Sequence, residues 1–344
     1  MNDQAAGKAK SKLKLGYKAS AEQFGPRQLL NFAIEAEACG FDSVWISDHF
    51  QPWRHTNGHS PFALSWLGAA GERTKRVLLG TSVLTPTFRY PPAVVAQAFG
   101  TLGVLNPGRM ILGVGAGEAL NEVAATGITW PSPKERLARL REAVELIRRL
   151  WTEELVTFDG EYYHTHNATI YDRPDEPIPI YISAGGPVAA RLAGQDGDGF
   201  ICTSGKGDEL YRDKLLPALA EGAKTTGRDP ATCGRMIEVK VSFDTDLKRA
   251  YSDTRIWAAL ALSAEDKAGT EDPREMERKA AEVADQAHRR WLVSNDVDEH
   301  LEQIRPYIEL GFTHLVFHAP GDDQSRFLQL YAREILPRIR QRWG

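Results

Sequence analysis

Short apolar, β-branched runs alternate with longer stretches of helical periodicity along almost the whole chain. This alternation constrains the fold more than any other feature. Strand-like runs fall at 13–17, 43–47, 77–81, 109–114, 178–182, 199–203, 236–243 and 313–317. Helical spacing follows at 26–38, 61–72, 92–105, 134–151, 187–193, 209–226, 297–310 and 323–340. Several of these stretches open on a proline, which suits a first helical turn. Strands separated by helices pair in parallel through crossovers. Eight such units predict an α/β fold, a (β/α)₈ TIM barrel, with a doubly wound open sheet as the alternative.

Two segments stand outside the repeat. Residues 152–177, after strand four, carry Asp159-Gly160 at the turn of an expected hairpin. Residues 247–290, after strand seven, read as largely helical. Residues 1–12 read as a loose polar tail without the apolar stretch of a signal peptide. Setting these three aside leaves about 260 residues, near the roughly 250 of one barrel. Residues 13–344 therefore read as a single domain with rim insertions.

Charge and cysteine usage narrow the functional classes. The 42 Lys and Arg against 46 Asp and Glu give a net charge of −4, which draws neither a nucleic acid nor an anionic membrane. No apolar run is long enough to span a bilayer. The three cysteines, Cys39, Cys202 and Cys233, are far apart and form no C-x-x-C. That argues against a disulfide scaffold or structural zinc and for a reducing cytoplasm.

In a barrel of this kind, chemistry collects at the C-terminal ends of the strands. Strand two ends in Ser47-Asp48-His49, with Trp53 just beyond. An imidazole accepts a proton at neutral pH, so His49 is a candidate base. Trp53 suits either core packing or an indole N–H donor. Strand three ends in Ser82-Val83. Strand four runs through Gly113, Gly115 and Gly117 to Glu118, a spacing that is not the dinucleotide-binding fingerprint. Glu118 is a candidate functional carboxylate at that turn or one merely favoured at a helix start. Ser183-Ala184-Gly185-Gly186-Pro187 leads from a strand into a helix, an arrangement that can hold an anion. Lys206, Lys267 and Arg290 can together clamp a phosphate, although spacing alone does not separate them from other basic residues. His164 and His166 form an His-x-His, but in the hairpin and without further ligands at strand ends, so no metal site is expected.

Long strings around this rim resemble one family. Residues 13–20 (LKLGYKAS), 47–53 (SDHFQPW), 79–87 (LGTSVLTPT), 115–122 (GAGEALNE), 200–207 (FICTSGKG) and 315–321 (LVFHAPG) are similar to the F420-dependent glucose-6-phosphate dehydrogenases of the luciferase-like barrel superfamily. The resemblance implies oxidation of a sugar 6-phosphate by hydride transfer to the deazaflavin coenzyme F420. It implies His49 as base, Trp53 as a stabiliser of developing charge and Glu118 as acid toward the deazaflavin. It also implies a coenzyme cleft lined by Asp48, Ser82, Val83, Thr85, Gly115, Gly117, Asn121, Ala184, Gly185 and Gly186. The phosphate pocket it implies is Thr203, Lys206, Lys267 and Arg290. A cis peptide at Ser82–Val83 and a homodimer belong to the same expectation. One departure stands out: Ala268 follows Lys267 where the family carries histidine. The loss of that donor leaves the choice among glucose, fructose and mannose 6-phosphates open, and Arg274 in the same segment is a possible newcomer to the pocket. The competing readings are another luciferase-like F420 or FMN oxidoreductase with a different substrate, and a barrel that binds without catalysing.

Overall fold

The computed structural model describes residues 13–268 and 270–344, without the side chain of Ala268; the tail 1–12 lies outside the described residues. Strands run in the order β1 (Lys14–Ala19), β2 (Ser43–Ile46), β3 (Leu78–Thr81), β4 (Met110–Val114), β5 (Val156–Asp159), β6 (His164–Ala168), β7 (Ile180–Ser183), β8 (Gly199–Thr203), β9 (Gly234–Phe243), β10 (Leu292–Ser294) and β11 (His314–His318). Eight of them pair in parallel in the order β9-β11-β1-β2-β3-β4-β7-β8, and a β8–β9 pairing closes the ring. The barrel expectation holds, and the open-sheet alternative falls on that closing pair.

The helices are α1 (Pro26–Ala38), α2 (Ala63–Arg73), α3 (Pro92–Leu105), α4 (Ala119–Thr126), α5 (Pro133–Thr152), α6 (Pro187–Asp196), α7 (Leu216–Thr225), α8 (Leu247–Asp253), α9 (Ala264–Ala268), α10 (Pro273–Glu282), α11 (Val297–Glu309), α12 (Gln324–Leu330) and α13 (Leu336–Trp343). Two elements differ from expectation. Helix α4 starts directly after Glu118, a stretch absent from the helical periodicities although a helix start was one reading of that carboxylate. The short β10 pairs with the far end of β9, Leu292 beside Val241, outside the closed ring. The expected hairpin is present as the antiparallel β5–β6 pair.

Alternation along each strand separates two cores. Val44, Leu112, Phe200, Ile237 and Phe317 pack into the large cluster beneath the helices. Their strand neighbours Trp45, Ile111, Ile201, Met236 and Val316 form a separate buried cluster that plugs the barrel. Two residues further along the same strands, the inward positions turn polar: Ser47, Thr203, Glu238 and His318. Lys18 on β1 and Lys240 on β9 join this layer. An apolar plug thus carries a polar floor, and the floor faces the rim. The insertion 247–290 builds a small core from Ala258, Ala259, Leu262, Met276, Ala280 and Ala287 against Leu120 of α4, with Trp53 packed beside it. That seat brings Lys267 and Arg290 over the barrel mouth.

Candidate active site

The polar floor opens into a cavity of about 370 Å³. At one end stands His49. Its Nε2 lies 3.0 Å from Oε1 of Glu22, and its Nδ1 lies 3.1 Å from Nδ2 of Asn121. The other Glu22 oxygen accepts from the Ser47 hydroxyl at 2.5 Å. Burial pushes the Glu22 carboxyl up, but His49, Lys18 and Ser47 outweigh it and leave the group below its ordinary range. Asn121 Nδ2 also reaches to 3.5 Å from Oε2 of Glu118. Glu118 precedes α4 with an extended backbone. It is accessible from the cavity yet hemmed in by protein, and this burial pushes its carboxyl up. His49 draws it back in part, Glu22 adds to the rise, and Lys267 opposes it. The result is an imidazole held between two side-chain partners beside a carboxyl pushed up by burial, in one cavity. Trp53 leans over His49, ring centres 6.3 Å apart.

The floor is a buried charge cluster. Lys18 Nζ donates to the carbonyl and the hydroxyl of Ser82, each at 2.6 Å, and lies 3.2 Å from Glu238. Burial pushes the Glu238 carboxyl up, yet Lys18, Lys240 and His318 hold it well below the usual range. The Ser82–Val83 peptide is cis, as expected. Gly117 adopts φ +84°, a left-handed conformation that favours glycine. At Gly115 a Cβ would come within 2.7 Å of the Val83 side chain.

At the other end the charges are of one sign. Burial lowers Lys206, and Arg290 lowers it further. Burial also lowers Lys267, with Arg290 and Lys206 adding to the effect. Arg290 Nη1 donates to the Gly205 carbonyl at 2.9 Å, but its buried Nε has no partner among the described residues. Among the described residues Lys206 Nζ makes no hydrogen bond or ion pair. Such mutual repulsion is relieved by a bound dianion.

Fourteen of the sequence-picked residues line this one cavity: His49, Trp53, Glu118, Asp48, Ser82, Val83, Thr85, Gly115, Gly117, Asn121, Thr203, Lys206, Lys267 and Arg290. Asp48 reaches the wall with its carboxylate already engaged, by Arg89 at 2.7 Å and the Tyr90 hydroxyl at 3.1 Å. Ala184, Gly185 and Gly186 lie at the end of β7 but outside the lining residues. Arg274 is bound to Asp272 on the surface, and His164 pairs with Asp159 on the exposed hairpin. Among the described residues no three His, Cys, Asp or Glu converge as metal ligands. Sequence reasoning missed Glu22, Lys18, Glu238, Lys240 and His318. The signal was present, because Glu22 sits at the end of strand one and the others continue the inward period of strands whose ends were otherwise read.

Comparison with known proteins agrees with this geometry. The family model for luciferase-like monooxygenases matches residues 10–314. A protein of Intrasporangium calvum is 65% identical over 331 residues, covering 95% of this chain and 99% of the relative. It is named an F420-dependent glucose-6-phosphate dehydrogenase, as is a Nakamurella multipartita protein at 63% identity over 95% of this chain and 97% of its own. The chain belongs to the F420-dependent glucose-6-phosphate dehydrogenase family of luciferase-like barrels. Among solved structures, an F420-dependent secondary alcohol dehydrogenase with an F420-acetone adduct superposes with TM-score 0.88 at 36% identity, covering 94% of this chain and 98% of that one. A tetrahydromethanopterin reductase from Methanopyrus kandleri, 22% identical with TM-score 0.78 over 95% of this chain and 99% of its own, shares the barrel fold.

Proposed function

We propose that this family member oxidises a hexose 6-phosphate with coenzyme F420, glucose 6-phosphate giving 6-phosphogluconolactone. One observation carries the reading: a single cavity joins a base and an acid at one end to three repelling cations at the other.

The residues present fit the coenzyme. At Gly186 a Cβ would meet nothing within 4 Å, and at Gly185 it would approach only Lys206 Nζ, at 3.9 Å. Protein packing does not demand glycine at either position, whereas close approach of a ligand phosphate to the start of α6 does. Val83 and Gly115 wall the inner cleft where a flat ring can lie. Bound F420 supplies a hydride acceptor at C5 of its deazaflavin. His49 takes the proton of the sugar C1 hydroxyl, with Glu22 opposite to balance the charge that results. The Trp53 N–H, which has no partner among the described residues, steadies the oxygen as its charge develops. Glu118, whose carboxyl is pushed up by burial, delivers a proton to the ring side of the cleft. Thr203, Lys206, Lys267 and Arg290 hold the phosphate.

The cations weigh against an uncharged alcohol like that implied by the acetone adduct of the structural neighbour, because such a substrate leaves them without a counter-ion. Residues 13–344 act as one unit in this reading. We place it as a cytoplasmic homodimer, supported by its free cysteines and by exposed Val94, Val104 and Leu105 on α3; light scattering at twice the chain mass tests the dimer. The decisive experiment mixes protein, oxidised F420 and glucose, mannose or fructose 6-phosphate and follows the deazaflavin absorbance. Bleaching is expected with at least one sugar; none with any of them overturns the reading.

A further inference from the structure

His49 has two ring nitrogens, and both are engaged. Which one carries the proton follows from Asn121. The Oδ1 of Asn121 accepts from the backbone N–H of Phe50 at 2.9 Å and of Gln51 at 3.1 Å. Those two donors fix the amide: the oxygen faces the loop, so the NH₂ faces His49 Nδ1 at 3.1 Å. An NH₂ group only donates. Nδ1 must therefore offer its lone pair, and Nε2 carries the hydrogen, donated to Glu22 at 3.0 Å. Full protonation would set an N–H at Nδ1 against the amide N–H and cost that hydrogen bond.

We propose that Asn121 is a positioning residue for the base: its amide selects the Nε2–H tautomer of His49 and orients the Nδ1 lone pair for the incoming proton. This rests on the reading of His49 as base. When the sugar hydroxyl takes the place of the Asn121 N–H at Nδ1, its proton passes to that lone pair. The ring becomes imidazolium, with Nε2–H still held by Glu22. The charge on the ring is answered by Glu22 in the loop after β1, while Glu118 at the head of α4 faces the ring as the proton donor. Lys267 from the insertion faces Glu118, and Trp53 supplies only a ring face. Asn121 acts between these groups, its second N–H directed to Glu118 at 3.5 Å.

The wild-type protein without coenzyme gives the first test, by proton–nitrogen correlation spectra of the histidine side chains. The expected spectrum has His49 protonated at Nε2 and bare at Nδ1; an Nδ1–H tautomer overturns the proposal. The second test is Asn121→Asp. The substitution keeps an acceptor for the Phe50 and Gln51 N–H groups but turns an acceptor toward Nδ1. His49 is then expected to titrate at least about one pH unit higher, roughly tenfold less neutral imidazole at a fixed pH below its wild-type value. The acid limb of kcat/KM for the sugar moves with it, while coenzyme affinity, read separately by fluorescence, reports any loss of binding. A folded Asn121→Asp protein whose His49 titration is unmoved overturns the proposal. If wild type oxidises no hexose phosphate, the functional reading falls while the tautomer result still stands or falls by its spectrum.

Discussion

At the base end of the cavity, both nitrogens of His49, both oxygens of Glu22 and the whole amide of Asn121 have protein partners. At the cation end, Arg290 Nε is buried without a partner among the described residues, and Lys206 and Lys267 are lowered by burial and then by their like-charged neighbours. The first arrangement is complete before substrate arrives; the second becomes complete only with an anion in it. A preorganised end spends its order on the reacting bond. An end built of repelling charges spends it on capture. The two should therefore separate in kinetics, with turnover controlled at one end and apparent affinity at the other.

The largest effect is expected at the base. His49→Ala removes the proton acceptor, and general-base catalysis is worth about 10² to 10⁴ in rate. We expect kcat to fall by that order with KM for the sugar phosphate little changed, measured by deazaflavin bleaching. A loss confined to KM would break the division between the ends. The next effect lies opposite. Arg290→Met removes a charge-assisted contact worth about 1.5–3 kcal/mol, or roughly 10- to 100-fold. That loss should raise KM while sparing kcat at saturation and coenzyme affinity. Inorganic phosphate should also raise the melting temperature of wild type more than that of Arg290→Met. An equal rise in both would remove the anion from the cation end.

The two ends also differed in how readily the sequence disclosed them. His49 and Glu118 were legible because each ends a recognisable strand, and the barrel rule says where to look. Glu22 obeys the same rule but was passed over, because Ser20-Ala21-Glu22 carries no glycine or histidine to mark it. Lys18, Glu238, Lys240 and His318 look like ordinary strand residues in one dimension. Only closure of the ring, Glu238 beside Thr203 on one side and beside Val316 on the other, turns their alternation into a shared floor. The cation trio was legible only through family resemblance. Lys206 follows β8, whereas Lys267 and Arg290 come from the insertion, and their meeting depends on how that insertion seats on Leu120 and Trp53. No local spacing encodes such a long-range contact. The eight-strand barrel, by contrast, was legible from periodicity alone, because each strand and helix announces itself within a dozen residues. The exceptions are short pieces, α4 and β10, whose existence depends on neighbours.

The smallest effect distinguishes the ends by sign. Phosphate capture needs Lys206 and Lys267 charged, and burial with like-charge neighbours lowers both from 10.5. They therefore begin to lose charge at a lower pH than free lysines. KM for the sugar phosphate should rise on the alkaline side, by no more than about tenfold per pH unit for each proton lost. Bound phosphate opposes the loss, so binding in that range takes up protons, which calorimetry in buffers of different ionisation enthalpy can count. Stability of the ligand-free protein has the opposite slope. Between the lowered values and 10.5 the unfolded chain binds more protons than the native one, so these lysines make the native state slightly more stable as pH rises. The base end responds in the other direction, since His49 acts only when neutral and kcat therefore rises with pH along its acid limb. An alkaline limb found in kcat, with KM flat, would assign the titrating group to the base end and merge the two halves of the cavity into one.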